Sequence, residues 1–434
     1  MQSVAFYTLG CKLNFSETST IGRQFIESGF KKVEFHEAAD VYVINTCSVT
    51  EQANKKCRKI IKQALQRNEE AYIIVVGCYA QLKPQEIVEI PGVDMVVGAG
   101  DKFRITELVD SFTKTDNPCI FNGDIQEVSS FTDAFSIGDR TRTFLKIQDG
   151  CDYKCTFCTI PLARGKSRSD TLENIVRNAR KIGDSGIQEI VLTGVNIGDY
   201  GKGIEENHSF LDVIQALDHV DNVARFRISS IEPNLCHDRI IDFVSRSQRF
   251  MPHFHMPLQS GNNEILGMMR RRYKRELYAD RVARIKERMP HACIGVDVIV
   301  GFPGETDKHF EDTYQFLTEL DISYLHVFTY SERENTLAVE MPDVVPSKVR
   351  HQRNHRLRML SDKKKRHFYE QFAQSTREVL YEGKAEEGRI HGFTDNYIKV
   401  MRPVDPALVN QIVSTPMTFP NPQGLMEVAA TVHS

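Results

Sequence analysis

Short apolar runs alternate along this chain with longer amphipathic stretches. Val4-Ala5-Phe6-Tyr7-Thr8-Leu9, Val41-Tyr42-Val43-Ile44-Asn45 and Tyr72-Ile73-Ile74-Val75-Val76 read as buried strands, since each is a brief apolar run bounded by turn residues. Between them, Thr18 to Ser28 carries helical spacing and Glu51 to Asn68 forms a long polar helix. This alternation predicts an N-terminal parallel α/β domain over residues 1–130. Six further strand-then-helix units follow. Their strands are predicted at Phe144–Gln148, Glu189–Val195, Arg225–Ser230, Phe254–Leu258, Ile294–Val300 and Tyr324–Tyr330. Helical periodicity fills the gaps, as at Thr171–Ser185, Phe210–Leu217, Tyr278–Met289 and His309–Leu320. Six units predict a partial (β/α)6 barrel rather than a complete eight-fold barrel of about 250 residues. Its span is 137–368. Over residues 370–434 the pattern changes to short strands at Glu378–Tyr381, Gly388–Gly392, Tyr397–Met401 and Leu425–Thr431, split by prolines. A small C-terminal antiparallel β-barrel is expected there.

Cysteine placement gives this α/β pattern its chemistry. Each of the first three strands ends in a cysteine: Cys11, Cys47 and Cys78. Cysteine is usually a small core hydrophobe, but three at one sheet edge predict a three-thiolate metal cluster. In parallel α/β sheets, ligands gather at the carboxyl ends of strands. Cys57 falls on the polar helix, and Cys119 has no such placement. After the first barrel strand stands a second set, Cys151-Asp152-Tyr153-Lys154-Cys155-Thr156-Phe157-Cys158. A zinc site would want a fourth ligand of matching spacing nearby, and none follows. A [4Fe–4S] cluster held by three thiolates leaves one iron open to an added ligand. A small zinc knot or a buried cysteine cluster is the bland alternative.

Composition is that of an ordinary globular chain: 434 residues, 41% hydrophobic, 26% charged, with a net charge of −3. No stretch approaches an uninterrupted apolar span of membrane length. The start lacks the charged end, apolar run and cleavage site of a signal peptide. Ten cysteines without an export signal point to a reducing, cytoplasmic setting and to metal binding rather than disulfides. The net charge argues against nucleic acid, but two local runs restore that partner. Met269 to Arg288 holds nine Lys/Arg against three acidic residues, and Asp343 to Phe368 nine against two on one long helix. Local basic patches, not net charge, are what phosphate contact needs. A solvated helix face is the equal alternative.

The CxxxCxxC loop with Phe157 before its last cysteine resembles the signature of the radical S-adenosylmethionine (SAM) superfamily. Thr8-Leu9-Gly10-Cys11-Lys12-Leu13-Asn14, Ile44-Asn45-Thr46-Cys47-Ser48-Val49-Thr50 and Gly77-Cys78-Tyr79-Ala80-Gln81 resemble the N-terminal motifs of the methylthiotransferase family. Lys146-Ile147-Gln148-Asp149-Gly150, Ile160 to Gly165, His255 to Gly261 and Gly301 to Thr306 continue the likeness. The resemblance implies two [4Fe–4S] clusters, on Cys151, Cys155 and Cys158 and on Cys11, Cys47 and Cys78. It implies a SAM pocket at the carboxyl ends of the barrel strands, with Phe157, Thr193, Gly194, Asn196, Ser230, Glu232 and Gly301 as its contacts. It implies that the C-terminal barrel is a TRAM-like RNA-binding module, although this segment holds more acidic than basic residues. Family members put a methylthio group on C2 of an adenosine beside the tRNA anticodon, or on a ribosomal-protein aspartate. One SAM methylates a sulfur at the auxiliary cluster. A second is reduced to the radical that takes the target hydrogen.

Arg164-Gly165-Lys166-Ser167-Arg168-Ser169 and Leu192 to Tyr200 resemble the threonylcarbamoyladenosine branch of the family. Threonylcarbamoyl carries a carboxylate, whereas the alternative isopentenyl group is apolar, so cations suit the first and waste desolvation on the second. Arg164, Lys166 and Arg168 are the expected substrate-binding residues, with Lys166 or Arg168 reading that carboxylate. The implied partners are the tRNA anticodon stem-loop, an electron donor such as flavodoxin or ferredoxin, and a sulfur donor. No acid–base residue is expected, because an aromatic C–H has no useful acidity.

Overall fold

In a computed structural model, residues 1–47, 51–138 and 141–428 are described. Ser48, Val49 and Thr50 of the second cysteine motif, and 429–431 of the last expected strand, lie outside the described residues. The first body begins with β1 (Ser3–Thr8), α1 (Lys12–Glu27), β2 (Lys31–Val33), β3 (Val41–Thr46), α2 (Glu51–Arg67) and β4 (Tyr72–Gly77). The short α3 (Cys78–Leu82) and α4 (Pro84–Val88) follow, then β5 (Met95–Val97), α5 (Ile105–Leu108) and β6 (Cys119–Phe121). The strands form one parallel sheet in the order β2-β1-β3-β4-β5-β6. Alternate residues face opposite layers. Val41, Val43, Ile74 and Val76 pack on Ile21 and Phe25 of α1, while Tyr42, Ile44, Ile73 and Val75 pack on Ile60, Ile61 and Ala64 of α2.

The helix expected at Thr18 begins at Lys12, directly behind Cys11. Its first turns bury Asn14, Ser16, Glu17, Thr18 and Ser19, so no apolar stripe marks them in the sequence.

The second body contains β7 (Ala134–Phe135), β8 (Arg142–Lys146), β9 (Gln148–Asp149), α6 (Ile160–Arg164), β10 (Arg168–Ser169), α7 (Leu172–Asp184) and β11 (Glu189–Thr193). It continues with α8 (Phe210–Asp218), β12 (Arg225–Ile228), α9 (Asp238–Arg246), β13 (His253–Gln259), α10 (Asn263–Met268) and α11 (Arg275–Arg288). β14 (Cys293–Val300), α12 (Asp307–Glu319), β15 (Tyr324–Thr329) and α13 (Ser347–Glu370) complete it. β8, β11 and β12 pair in parallel, as do β13, β14 and β15. The parallel bridges Phe226–Phe250 and Ser230–His255 join the two halves, so six parallel strands run in chain order. β7 adds antiparallel to β8.

The C-terminal body holds β16 (Thr376–Glu386), β17 (Arg389–Thr394), β18 (Lys399–Pro403), β19 (Ile412–Pro416) and β20 (Met426–Glu427) in the order β19-β16-β17-β18-β20. Most pairs are antiparallel, but β18 and β20 are parallel, which the expectation of a wholly antiparallel arrangement did not contain. This sheet docks on the amino ends of the six strands. Arg225 donates to the Glu378 carbonyl at 2.9 Å, Arg227 to the Asp395 carbonyl at 3.0 Å, and Tyr397 stacks on His253 at 4.1 Å. The opposite end, where the cysteine loop leaves the barrel strands, stays clear of it. No helix among the described residues is long and apolar enough to cross a membrane.

Candidate functional site

The N-terminal thiols follow from strand order. β1, β3 and β4 are neighbours in the sheet and each runs into a cysteine, so Cys11, Cys47 and Cys78 share one edge. Asn14 ties this edge together by donating to the carbonyls of Leu9 at 2.8 Å and Thr46 at 3.0 Å. Gly10 has φ +110°, and a Cβ there would lie 2.7 Å from the Cys47 Cβ, so only glycine lets the two strand ends approach. Burial pushes the Cys78 thiol up, against the pull of the Arg164 guanidinium.

The second set sits on the loop between β9 and α6. Gly150, at φ +71°, turns the chain into it, and a Cβ there would meet the Lys166 carbonyl at 2.0 Å. Burial raises Cys158 to about 12 and Cys151 to about 11, so the thiols are protonated until a metal displaces the protons. Arg271 of the basic run donates to the Cys155 Sγ at 3.1 Å and pairs with Glu232. Among the described residues, neither cysteine set brings its three sulfurs within 4.8 Å of one another. A mononuclear tetrahedral zinc holds thiolates about 3.8 Å apart, at Zn–S of about 2.3 Å.

Beside Cys158 lies a cavity of about 210 Å³ lined by Phe157, Gln259, Asp297, Ile299 and Tyr330. Gln259 Oε1 and Tyr330 Oη are buried there without a hydrogen-bond partner. At the end of β11, Asn196 is 3% exposed and both polar atoms of its amide are orphaned. Buried polar atoms left unpaired are costly, and a polar ligand entering this mouth would satisfy them. This is the test that a nucleoside with an amino-acid end, such as SAM, passes here.

The expected SAM contacts divide. Phe157 packs edge-on against Phe302 at 6.5 Å and lines the cavity. Thr193 is buried, and Gly194 lies against Gln148, whose Oε1 accepts from the backbone N–H of Val195 and Asn196. Ser230 forms the bridge to His255. Glu232 is engaged by Arg271, and the Gly301 N–H already donates to the Glu305 carboxylate.

The expected substrate residues divide further. Arg164 is 2% exposed and donates to Glu17 and Asp149 at 2.9 Å each and to Asn14 at 2.7 Å. Arg168 donates to the carbonyls of Ser130, Arg164 and Lys166 and to Asp149 at 3.2 Å. Both guanidinium groups are committed inside the molecule, which corrects the expectation that either reaches a substrate. Lys166 alone of the three stays exposed.

Together with Lys102, 2.7 Å from Glu17, and Lys146, 3.7 Å from Asp149, the two arginines build a buried ionic layer between α1 and the cysteine loop. Burial works against the Asp149 carboxylate, but Arg164, Lys146 and Arg168 hold it well below its ordinary range. This layer seats the N-terminal body on the barrel body beside both cysteine sets, with α3 packed on α6. Sequence reasoning missed Glu17, Lys102 and Arg271, because their partners lie far away in the chain, and it gave no role to Asp149 or Gln259. Also in the barrel body, His255 Nε2 and the exposed His326 Nδ1 both approach Asp297 Oδ1, at 3.0 and 3.3 Å. Much of the basic charge on α13 is neutralised by Glu332, Glu305, Glu311 and Glu370, leaving Lys348, Arg358 and Lys363 exposed.

Comparison with known proteins bears on this arrangement. The radical SAM superfamily profile matches residues 145–317, and the profile described as uncharacterized protein family UPF0004 matches residues 3–98. The chain is 41% identical over 420 residues to the threonylcarbamoyladenosine tRNA methylthiotransferase MtaB of Bacillus subtilis, covering 95% of this chain and 93% of that one. It is 38% identical to the MtaB of Aquifex aeolicus, covering 92% and 96%. It is 32% identical to the tRNA-2-methylthio-N(6)-dimethylallyladenosine synthase of Alkaliphilus oremlandii, covering 94% and 88%. Among solved structures, the radical SAM methyltransferase TsrM of Kitasatospora setae, with cobalamin and a [4Fe–4S] cluster bound, superposes with a TM-score of 0.56. That likeness covers 78% of this chain and 77% of TsrM at 13% identity, and it concerns the fold alone.

Proposed function

This chain belongs to the radical SAM methylthiotransferases, and on that premise we propose that it adds a methylthio group to C2 of N6-threonylcarbamoyladenosine next to the tRNA anticodon. The observation that carries this reading is the pair of three-thiolate sets at strand ends of two adjoining bodies, in a chain 41% identical to an MtaB over nearly its full length. Cys151, Cys155 and Cys158 hold one [4Fe–4S] cluster, and Cys11, Cys47 and Cys78 hold the auxiliary one. When bound, the clusters and SAM supply the hydrogen abstraction and the sulfur that no side chain supplies.

The protein's own part is to bind, orient and dry the site. Asn196, Gln259 and Tyr330 offer unpaired polar atoms to SAM, with Phe157, Thr193, Gly194, Ser230, Glu232 and Gly301 shaping the rest of its pocket. Arg271 steadies Cys155 and orients Glu232. The buried layer of Glu17, Asp149, Arg164 and Arg168 fixes the spacing between the two cysteine sets and keeps water out of the joint. Arg270, Arg272 and Lys274 stand exposed around the cysteine loop, placed to meet RNA phosphates, with Lys166 beside them.

Three units serve this work: residues 1–130 for the auxiliary cluster, 137–368 for the SAM chemistry as a partial (β/α)6 barrel, and 370–434 as a TRAM-like RNA-binding module. The basic rim and α13 carry more of the RNA contact than the acidic C-terminal sheet. An electron donor and a sulfur donor complete the reaction, and the setting is the cytoplasm.

Mass spectrometry of tRNA nucleosides tests the reading. A strain lacking this chain is expected to lose 2-methylthio-N6-threonylcarbamoyladenosine and accumulate its precursor without the methylthio group. Loss of the isopentenyl nucleoside instead, or of no tRNA nucleoside, refutes it.

A further inference from the structure

Two histidines and an aspartate inside the barrel body have no part in the scheme above. β13, β14 and β15 are neighbouring parallel strands, with Pro257 opposite Asp297 and Asp297 opposite His326. Alternate residues of a strand share a face. Met256, Val296, Val298, Leu325 and Val327 belong to the core between the strands and their helices, so His255, Asp297 and His326 share the other face. Asp297 also lines the cavity beside Cys158, which places the trio at its wall.

His255 Nε2 stands 3.0 Å and His326 Nδ1 3.3 Å from one and the same oxygen, Asp297 Oδ1. The three donor atoms lie within 4.8 Å of one another. A divalent transition ion holds nitrogen and oxygen at about 2.1 Å, which sets neighbouring donors about 3.0 Å apart in an octahedral sphere and about 3.4 Å apart in a tetrahedral one. Both nitrogen–oxygen distances fall in that interval. Two imidazoles that only hydrogen-bonded to the carboxylate had two oxygens to choose from, yet they converge on one. The Tyr324 hydroxyl stands 3.4 Å from His255 Nδ1, the second nitrogen of that ring, where an outer contact orients a ligating imidazole. His255 and Asp297 are mostly buried and so held in place, while His326 is 54% exposed and leaves an ion a way in.

We propose that His255, Asp297 and His326 bind one divalent first-row transition ion, separate from both cysteine sets. Two imidazoles and one carboxylate suit zinc or ferrous iron, whereas magnesium and calcium prefer sets made of oxygen alone. Three protein ligands leave at least one position open, to water or to an oxygen of a molecule in the cavity that Asp297 lines. The site requires no particular RNA substrate.

Zinc is the probe, on the full chain with its clusters reconstituted and loosely held iron removed by a chelator. Cluster absorbance is followed throughout, to show that the cysteines stay occupied and do not take up zinc themselves. Bound zinc is measured by elemental analysis after dialysis against buffered zinc, for wild type, Asp297→Asn and His326→Gln. Asp297→Asn keeps a hydrogen-bond acceptor and loses the anionic ligand; His326→Gln changes an exposed side chain. Wild type is expected to hold about one zinc per chain more than either variant. Zinc should also raise the melting temperature of wild type and leave that of the variants unmoved, because an ion that binds only the folded state stabilises it. If Asp297→Asn does not fold, His326→Gln decides alone. A wild type that binds no more zinc than a folded variant overturns the site and leaves two imidazoles hydrogen-bonded to a carboxylate.

Discussion

Replacing Glu17 with glutamine should loosen the joint between the two bodies by about 3–5 kcal/mol, the cost of breaking a buried ion pair from one side. Glu17 is fully buried on α1, with Lys102 at 2.7 Å, Arg164 at 2.9 Å and Lys146 at 3.9 Å. Burial pushes its pKa up, but Arg164, Lys102 and Lys146 outweigh that and hold it down to about 2, from an ordinary 4.5. A depression of that size is worth about 3 kcal/mol, at about 1.4 kcal/mol per pH unit, so two separate routes agree. The sign is that of a depressed carboxylate. The stabilisation is fully present above pH 4.5 and is lost as pH falls from there toward 2.

Urea unfolding of the metal-free full chain at pH 7 measures this, with Glu27→Gln as an exposed control on the same helix. With an m-value of about 1–3 kcal/mol/M, the Glu17→Gln midpoint should fall by about 1–5 M. The gap between variant and wild type should be as wide at pH 5.5 as at pH 8. If Glu17→Gln unfolds with the control, the ionic layer is not what holds the joint.

Other perturbations separate binding from structure. Asn196→Ala removes two orphaned buried polar atoms, so the SAM-free protein should melt no lower than wild type while SAM binds about 10-fold more weakly by titration calorimetry; a lower melting point with unchanged affinity would contradict this. Arg271→Met removes the donor to the Cys155 Sγ, which should make the potential of that cluster more negative in an EPR-monitored redox titration. An unshifted potential would mean that Arg271 serves Glu232 alone. Gly10→Ala places a Cβ against Cys47 and should cost the auxiliary cluster but not the barrel one, read as loss of about half the iron. Full iron in that variant would show that the strand ends tolerate separation.

The strand ends were legible in the sequence because buried parallel strands are short apolar runs, and a cysteine closing each of three runs has one geometric meaning. The six barrel strands were legible for the same reason, each lying within two residues of its expected ends. Three features were hidden. The start of α1 buries polar residues, so helical periodicity vanished where the helix meets the cysteine. β19 sits among prolines that read as loop. The roles of Arg164 and Arg168 were misread because Glu17, their neighbour in the buried layer, stands 147 residues from Arg164 in the chain. Charge in a motif reveals that a cation is wanted, but only the fold reveals which anion it meets.

The central claim is that two separate sets of three thiols each gather a cluster, and it is tested most directly by iron and acid-labile sulfide analysis of anaerobically reconstituted protein. Wild type should carry about eight irons per chain, and the protein with Cys11, Cys47 and Cys78 all changed to alanine about four. A wild type that holds only about four, or a triple variant that still holds about eight, contradicts it.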